Sequence, residues 1–292
     1  MSDSVEPGSL RDVGWRSMLY VPANRERFVR SAASSAADAV ILDLEDAVPA
    51  EHKAAARDGL ADAVSTLRSG TASVAVRVNR PWTVMISDLK ATVRAKVDMV
   101  IVPKSDDPSV IRTVDEALCE LEGDGTSPAV KVIPLIESAR GVRKIDDIVA
   151  ASDRVVAASV GIGDLSLEMR ATPDGPAIRH AFAEVVQATR AAGRVPLGLS
   201  GLIVSYADMD AFRALAELSR SMGSTGASCI HPSQVGTLNE VFGPSAEEVA
   251  EARRLVSAYE EAARCGRGST MMGDIFVDNA NYQYAKRLLA RA

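Results

Sequence analysis

The chain has 292 residues, 47% of them apolar and a quarter charged, with 39 acidic against 33 basic side chains and a formal net charge of −6. That length suits one large α/β unit with a substantial core, and basic residues dispersed singly among acidic ones exclude nucleic acid as the expected partner. No apolar run approaches the ~20 residues of a membrane span, and three scattered cysteines without CxxC spacing argue for a reducing cytoplasm over a disulfide framework.

The first residues, MSDSVEPGSLRD, are polar and acidic without an apolar signal core, so residues 1–13 read as a flexible arm. From residue 14 to 244, short β-branched runs alternate with Ala-, Glu- and Arg-rich helical patterns. The runs, in order, are SMLYVP (17–22), AVILDLE (39–45), SVAVRVN (73–79), DMVIVPK (98–104), VKVIPLIE (130–137), RVVAASVG (154–161), VPLGLS (195–200) and ASCIHP (227–232). Near-continuous apolar strands are expected where both faces of a parallel sheet are covered, and eight strand–helix units predict a closed TIM (β/α)8 barrel. The open doubly wound sheet is the alternative, but neither GxGxxG nor GxxxxGK[ST] follows any strand. Residues 245–292 read as a helical extension: one helix over about 245–264, a Gly-rich hinge in CGRGSTMMGD, and a last helix from about Asn279.

In such a barrel the chemistry sits at the carboxyl ends of the strands. There the chain places Glu45 and Asp46, Arg77 and Asn79, Lys104, Glu137, Asp164 and His231, while Arg16 precedes the first strand. Glu137 and Asp164, closing adjacent strands, are well placed to share one Mg2+, which accepts one or two carboxylates and leaves its other positions to water and substrate; the alternative is two independent turn or cap residues. An arginine on an apolar strand needs an anion, so Arg77 is expected to pair with the acids of LDLED (residues 42–46), Glu45 or Asp46 fixing it, and to present its fork to a substrate oxygen, or else to be purely structural. Lys104 reads as a Schiff-base nucleophile or, with two acids nearby, as a charged partner or phosphate ligand. Cys229 and His231 share a strand face, where packing competes with a thiol–imidazole pair.

The ordered segments RSMLYVPANRERFVRSA, DAVILDLEDAVPAEHKAAAR, VRVN, VPK, PLIESARGV, GIGDLS, IHPSQV and GDIFVDNANYQYAKRLL resemble the citrate lyase beta subunit and malyl-CoA or citramalyl-CoA lyase family, within the HpcH/HpaI aldolases. The resemblance implies a TIM barrel with a C-terminal lid and a homo-oligomer, trimeric or hexameric. It also implies a Mg2+-dependent lyase that cleaves a hydroxyacyl-CoA thioester into an acyl-CoA and a 2-oxo acid, or runs the reverse condensation. By the same resemblance Glu137 and Asp164 are the metal ligands, and Arg77 anchors a carboxylate or thioester oxygen. Arg16, Lys104 and Asn24 contribute at the substrate end, Glu45 and Asp46 orient the arginines and water, and Asp278 is a lid acid reaching a neighbouring subunit. Three departures stand out: PAN where the family has PGN, GSTGASCIHP without the lysine that commonly precedes IHP, and FVDN without the usual proline. A malyl-CoA-type thioesterase, a CoA-independent aldolase and a non-catalytic CoA- or dicarboxylate-binding subunit are the alternatives.

Overall fold

A computed structural model describes residues 14–123, 129–202 and 207–290, so the expected arm over 1–13 lies outside the described residues. All eight apolar runs form strands: β1 (Ser17–Pro22), β2 (Ala39–Asp43), β3 (Ser73–Arg77), β4 (Met99–Val102), β5 (Lys131–Ile136), β6 (Ala157–Val160), β7 (Val195–Leu197) and β8 (Ala227–Cys229). They pair in parallel in the order β7-β6-β5-β4-β3-β2-β1-β8. The two outer strands meet through backbone bonds, Gly198 N to Gly226 O at 2.9 Å and Thr225 N to Pro196 O at 3.1 Å, which draw the sheet into a barrel. The fold is therefore α/β, a TIM barrel.

Strand alternation sorts the side chains into two buried sets. One set faces the axis: Met18, Ala39, Ile41, Ala75, Met99, Ile101, Ile133, Leu135, Ala157, Val195 and Leu197 form a single cluster, with Tyr20 packed on it. The other set, among them Leu19, Val40, Leu42, Val76, Val100 and Val132, is buried under the surrounding helices. This two-sided burial explains why the strands read as apolar runs rather than as alternating patterns. Every run but the first extends one to three residues beyond its strand at the carboxyl end, and the polar residues described below lie at or just past those ends.

Contacts divide the chain into two compact units, the second beginning at Glu240. In that unit the helix Ala246–Arg264 starts with a reciprocal capping box between Ser245 and Glu248, and the helix Asn279–Leu289 with one between Asp278 and Asn281. Tyr259 stacks on Tyr282 at 4.6 Å. The Gly-rich stretch expected as a hinge carries β9 (Thr270–Met272), which pairs antiparallel with β10 (Ile275–Val277) just after it. The two-residue loop between them begins at Gly273 with φ +59°, a conformation cheap only for glycine and suited to the twist of a tight hairpin.

Candidate active site at the carboxyl end of the barrel

The axis-facing positions that are apolar lower down turn polar in the last layer. Following Ala39 and Ile41, the next inward residue of β2 is Asp43; following Ala75 on β3 it is Arg77; following Ile133 and Leu135 on β5 it is Glu137. Asp43 and Arg77 are direct register partners on neighbouring strands. Arg77 Nε and Nη2 donate to the two oxygens of Asp43 at 2.8 and 2.6 Å, a bidentate fork, and its Nη1 lies 3.1 Å from Glu45 and 3.3 Å from Asp46. Beneath, the Tyr20 ring faces the guanidinium at 5.0 Å. All three acids of LDLED pair with Arg77, and Asp43 is the principal partner, because it shares Arg77's layer, whereas Glu45 and Asp46 approach only its remaining edge. Asp43 also accepts from the backbone N–H groups of Glu45 and Ala47, so it shapes the loop that carries the other two acids.

That loop is held from behind by a network no sequence motif announced. Lys53 Nζ donates to the carbonyls of Leu44 and Glu45 and to Asn79 Oδ1, at 2.9, 2.5 and 2.6 Å. Asn79 in turn donates to Leu44 O and to Asp88, and Asp88, fully buried, accepts from Arg57 at 2.7 Å. Every polar group in this chain has a partner, which is the condition for burying it at tolerable cost.

After β5, Glu137 is only 8% exposed and accepts from the backbone N–H of Lys104 at 2.8 Å. Lys104 adopts φ +50°, a left-handed conformation that costs a non-glycine residue about 1 kcal/mol or more and persists where its surroundings over-determine it. Its Nζ lies 3.7 Å from Asp164, in the first turn of the helix Ile162–Met169. Gly161 makes this wall possible: a Cβ there would sit 2.5 to 2.6 Å from Glu137 Cγ and Oε1. Burial pushes the Glu137 carboxyl up to about 7, opposed by the Lys104 N–H and reinforced by Asp164. Glu45 is likewise pushed up to about 7, first by burial, against the pull of Arg77.

Glu137 and Asp164 suit a hard divalent cation. They are two oxygen donors from adjacent strand ends, one buried and one half-exposed, facing an open cavity. Among the described residues no group of three or more His, Cys, Asp or Glu converges, so the donor set resembles a Mg2+ site completed by water and substrate more than a closed zinc site. The cavity measures about 600 Å3 and is lined by Asp43, Asp46, Arg77, Glu137 and Asp164 on one side.

Other candidates fall elsewhere. Arg16 is a correction: it lies at the amino-terminal end of β1, opposite the cavity, and its guanidinium and backbone N–H are both engaged by Asp38 at 2.8 to 2.9 Å. A residue that precedes a barrel strand cannot reach the carboxyl end of that strand. Asn24 sits in the turn after β1, its Oδ1 buried without a hydrogen-bond partner, and does not line the cavity. Cys229 is buried, with its thiol pushed up to about 12 by desolvation, and the His231 ring bonds Ser233 Oγ at 2.8 Å, so the two are not a nucleophile and base. Asp278 belongs to the second unit, where its carboxylate caps the last helix through Asn281 N at 3.0 Å.

Against known proteins, the HpcH/HpaI aldolase/citrate lyase family matches residues 16–232. A (3S)-malyl-CoA thioesterase of Cereibacter sphaeroides is 34% identical over 95% of this chain and 94% of its own length. An L-malyl-CoA/beta-methylmalyl-CoA lyase of the same species is 33% identical with the same coverage. The crystal structure of the protein CitE from Mycobacterium tuberculosis, in complex with magnesium, acetoacetate and coenzyme A, superposes with a TM-score of 0.74 at 29% identity, over 94% of this chain and 97% of that one.

Proposed function

The chain belongs to the HpcH/HpaI aldolase/citrate lyase family, and on that premise we propose that it is a Mg2+-dependent lyase breaking, or forming, the carbon–carbon bond between an acyl-CoA and a 2-oxo acid. The observation that carries this reading is the arrangement of the cavity, whose lining brings together the Glu137–Asp164 pair and the Arg77 fork anchored by Asp43.

Glu137 and Asp164 would hold the Mg2+, which when bound supplies Lewis-acid polarisation of the 2-oxygen of the hydroxy acid. The first N–H groups of the helix Ile162–Met169 have no intrahelical acceptor, and its first residues, Ile162, Gly163 and Asp164, line the same cavity, so this helix start would offer donors to the substrate carboxylate. Nε and Nη2 of Arg77 are occupied by Asp43, which leaves Nη1 as its reactive edge. Exposed Asp46 is the partner a substrate oxygen displaces there. In the cleavage direction Asp46, the exposed acid of the cavity lining, accepts the hydroxyl proton, and Glu45 behind it helps to hold Arg77. The O–H electron pair becomes the new C=O bond, the C–C bond breaks, and its electrons pass through the α-carbon to the thioester oxygen, where Arg77 stabilises the enolate charge. Returning a proton to the α-carbon releases the acyl-CoA. That proton is assigned to Asp278 of a neighbouring copy, an assignment supported by the sequence resemblance.

A second reading is favoured by the thioesterase relative. The same residues could direct water to the acyl carbon, with the C–S bond breaking and CoA leaving as the thiol. Mass spectrometry of thioester, free CoA and acids separates the two, with acetyl- or propionyl-CoA and a panel of 2-oxo acids in Mg2+ or in EDTA. A condensed hydroxyacyl-CoA formed only with Mg2+ supports the lyase. Free CoA and hydroxy acid without accumulated thioester supports hydrolysis, and no turnover with any pair overturns both.

A further inference from the structure

Glu137 and Asp164 come from neighbouring strand ends, and two ties fix how far apart they lie. The inner tie belongs to the sheet: the carbonyl of Ile136 accepts from Gly161 N at 2.9 Å. The outer tie is a side chain. Glu168 stands one turn after Asp164 on the helix Ile162–Met169, hence on the same face, and its Oε2 accepts from the backbone N–H of Ala139 at 2.7 Å. The link closes a loop of structure: from Glu137 along the chain to Ala139, across the hydrogen bond to Glu168, and back one helical turn to Asp164.

Ala139 opens the short helix Ala139–Arg143, whose first N–H groups have no acceptor of their own. The preceding residue, Ser138, accepts from Gly141 N at 3.0 Å and donates its hydroxyl to Asp106, which fastens the turn after Glu137 to the loop carrying Lys104. Glu168 fastens the same turn on its other side, through a charge-assisted bond. Asp164 is half-exposed, and Lys104 Nζ approaches it no closer than 3.7 Å, so its place over the cavity depends on where its helix sits. Glu168 is no third ligand, because among the described residues no three His, Cys, Asp or Glu side chains converge. We infer that Glu168 is a positioning residue for the divalent-cation pair, clamping the helix that carries Asp164 to the strand end that carries Glu137. The inference rests on the Mg2+ reading of that pair and adds to it a residue that does not touch the ion.

The test is calorimetric titration of the metal-free, full-length protein with Mg2+, without substrate. Glu168→Ala removes the acceptor, at an exposed position where the fold should tolerate it. Glu168→Gln keeps a carbonyl oxygen at the same reach and removes only the charge. The expected result is a Kd for Mg2+ about tenfold higher in the Ala variant and within about threefold of the wild type in the Gln variant. A merely structural tie would lower the Tm of the metal-free protein and leave that Kd alone. Wild-type Mg2+ affinity in the Ala variant therefore overturns the inference, whatever its Tm. Equal weakening in the Ala and Gln variants overturns it as well, by making the charge and not the hydrogen bond the cause. Glu137→Gln, titrated alongside, isolates the premise. Lost binding there with none lost in Glu168→Ala rejects the clamp and keeps the cation pair, whereas wild-type binding in Glu137→Gln rejects both.

Discussion

At the scale of single residues the site is an arrangement of charges that hold one another in place. Asp43→Asn would leave Arg77 with only Glu45 and Asp46, so kcat/KM is expected to fall about 100-fold or more. Stability should fall by about 3 kcal/mol, as for other buried pairs broken on one side; urea unfolding and steady-state kinetics on the same preparation check both. The two raised carboxyls give a pH signature. A carboxyl whose folded pKa lies above its unfolded value binds the proton more tightly in the native state. Its contribution to stability is complete below about 4.5 and is lost as pH rises through about 7. Metal-free protein should therefore melt several degrees lower at pH 8 than at pH 5, and Glu137→Gln should flatten part of that slope. Mg2+ must displace the same proton, so its affinity should rise across this window in the wild type and not in the Gln variant.

At the scale of elements, what matters is how closely strand ends approach. Gly161 lies beside Glu137 at a distance no side chain tolerates. Gly161→Ala should displace the carboxylate and abolish Mg2+ binding by calorimetry while leaving the far-UV spectrum intact. Lys53 ties the acidic loop after β2 to Asn79 after β3. Lys53→Met keeps the aliphatic stem but loses three hydrogen bonds. The expected result is a fall of about 10-fold or more in kcat with a smaller change in KM, and Lys53→Arg should recover part of it. A variant that lost stability alone, with kcat unchanged, would make Lys53 a structural tie only.

At the scale of the whole molecule, binding of Mg2+ to the folded state alone should stabilise it by about 2.7 kcal/mol at a hundredfold excess over Kd. A Mg2+-dependent rise in Tm that disappears in Glu137→Gln places the ion without reference to turnover. Asp278→Asn separates the roles of that residue, because Asn caps a helix as well as Asp does but cannot exchange a proton. Turnover should drop with Tm and Mg2+ binding unchanged, and wild-type rates in the Asn variant would remove Asp278 from the chemistry.

Eight strands, their parallel order and the polar layer at their carboxyl ends were all legible in the chain, because each follows from local patterning: apolar runs for strands covered on both faces, and a helix after each. The places of Glu137 and Arg77 at the ends of apolar runs, and of Asp164 in the turn after one, were legible for the same reason. The hairpin β9–β10 was not, since three-residue strands in a Gly-rich stretch carry little periodicity. Neither was the primacy of Asp43 over Glu45 and Asp46, although the inward alternation of Ala39, Ile41 and Asp43 would have pointed to it. Arg16 was placed before the first strand by sequence, and its pairing with Asp38 at that lower end belongs to the geometry. What sequence alone determined was which residues lie on which element and face, a matter of neighbours along the chain. Which charge meets which, which glycine clears room for a carboxylate and which lysine clamps the acidic loop were decided by the tertiary structure. Those contacts join positions distant along the chain, 34 residues apart for Arg77 and Asp43, and exist only once strand register is set.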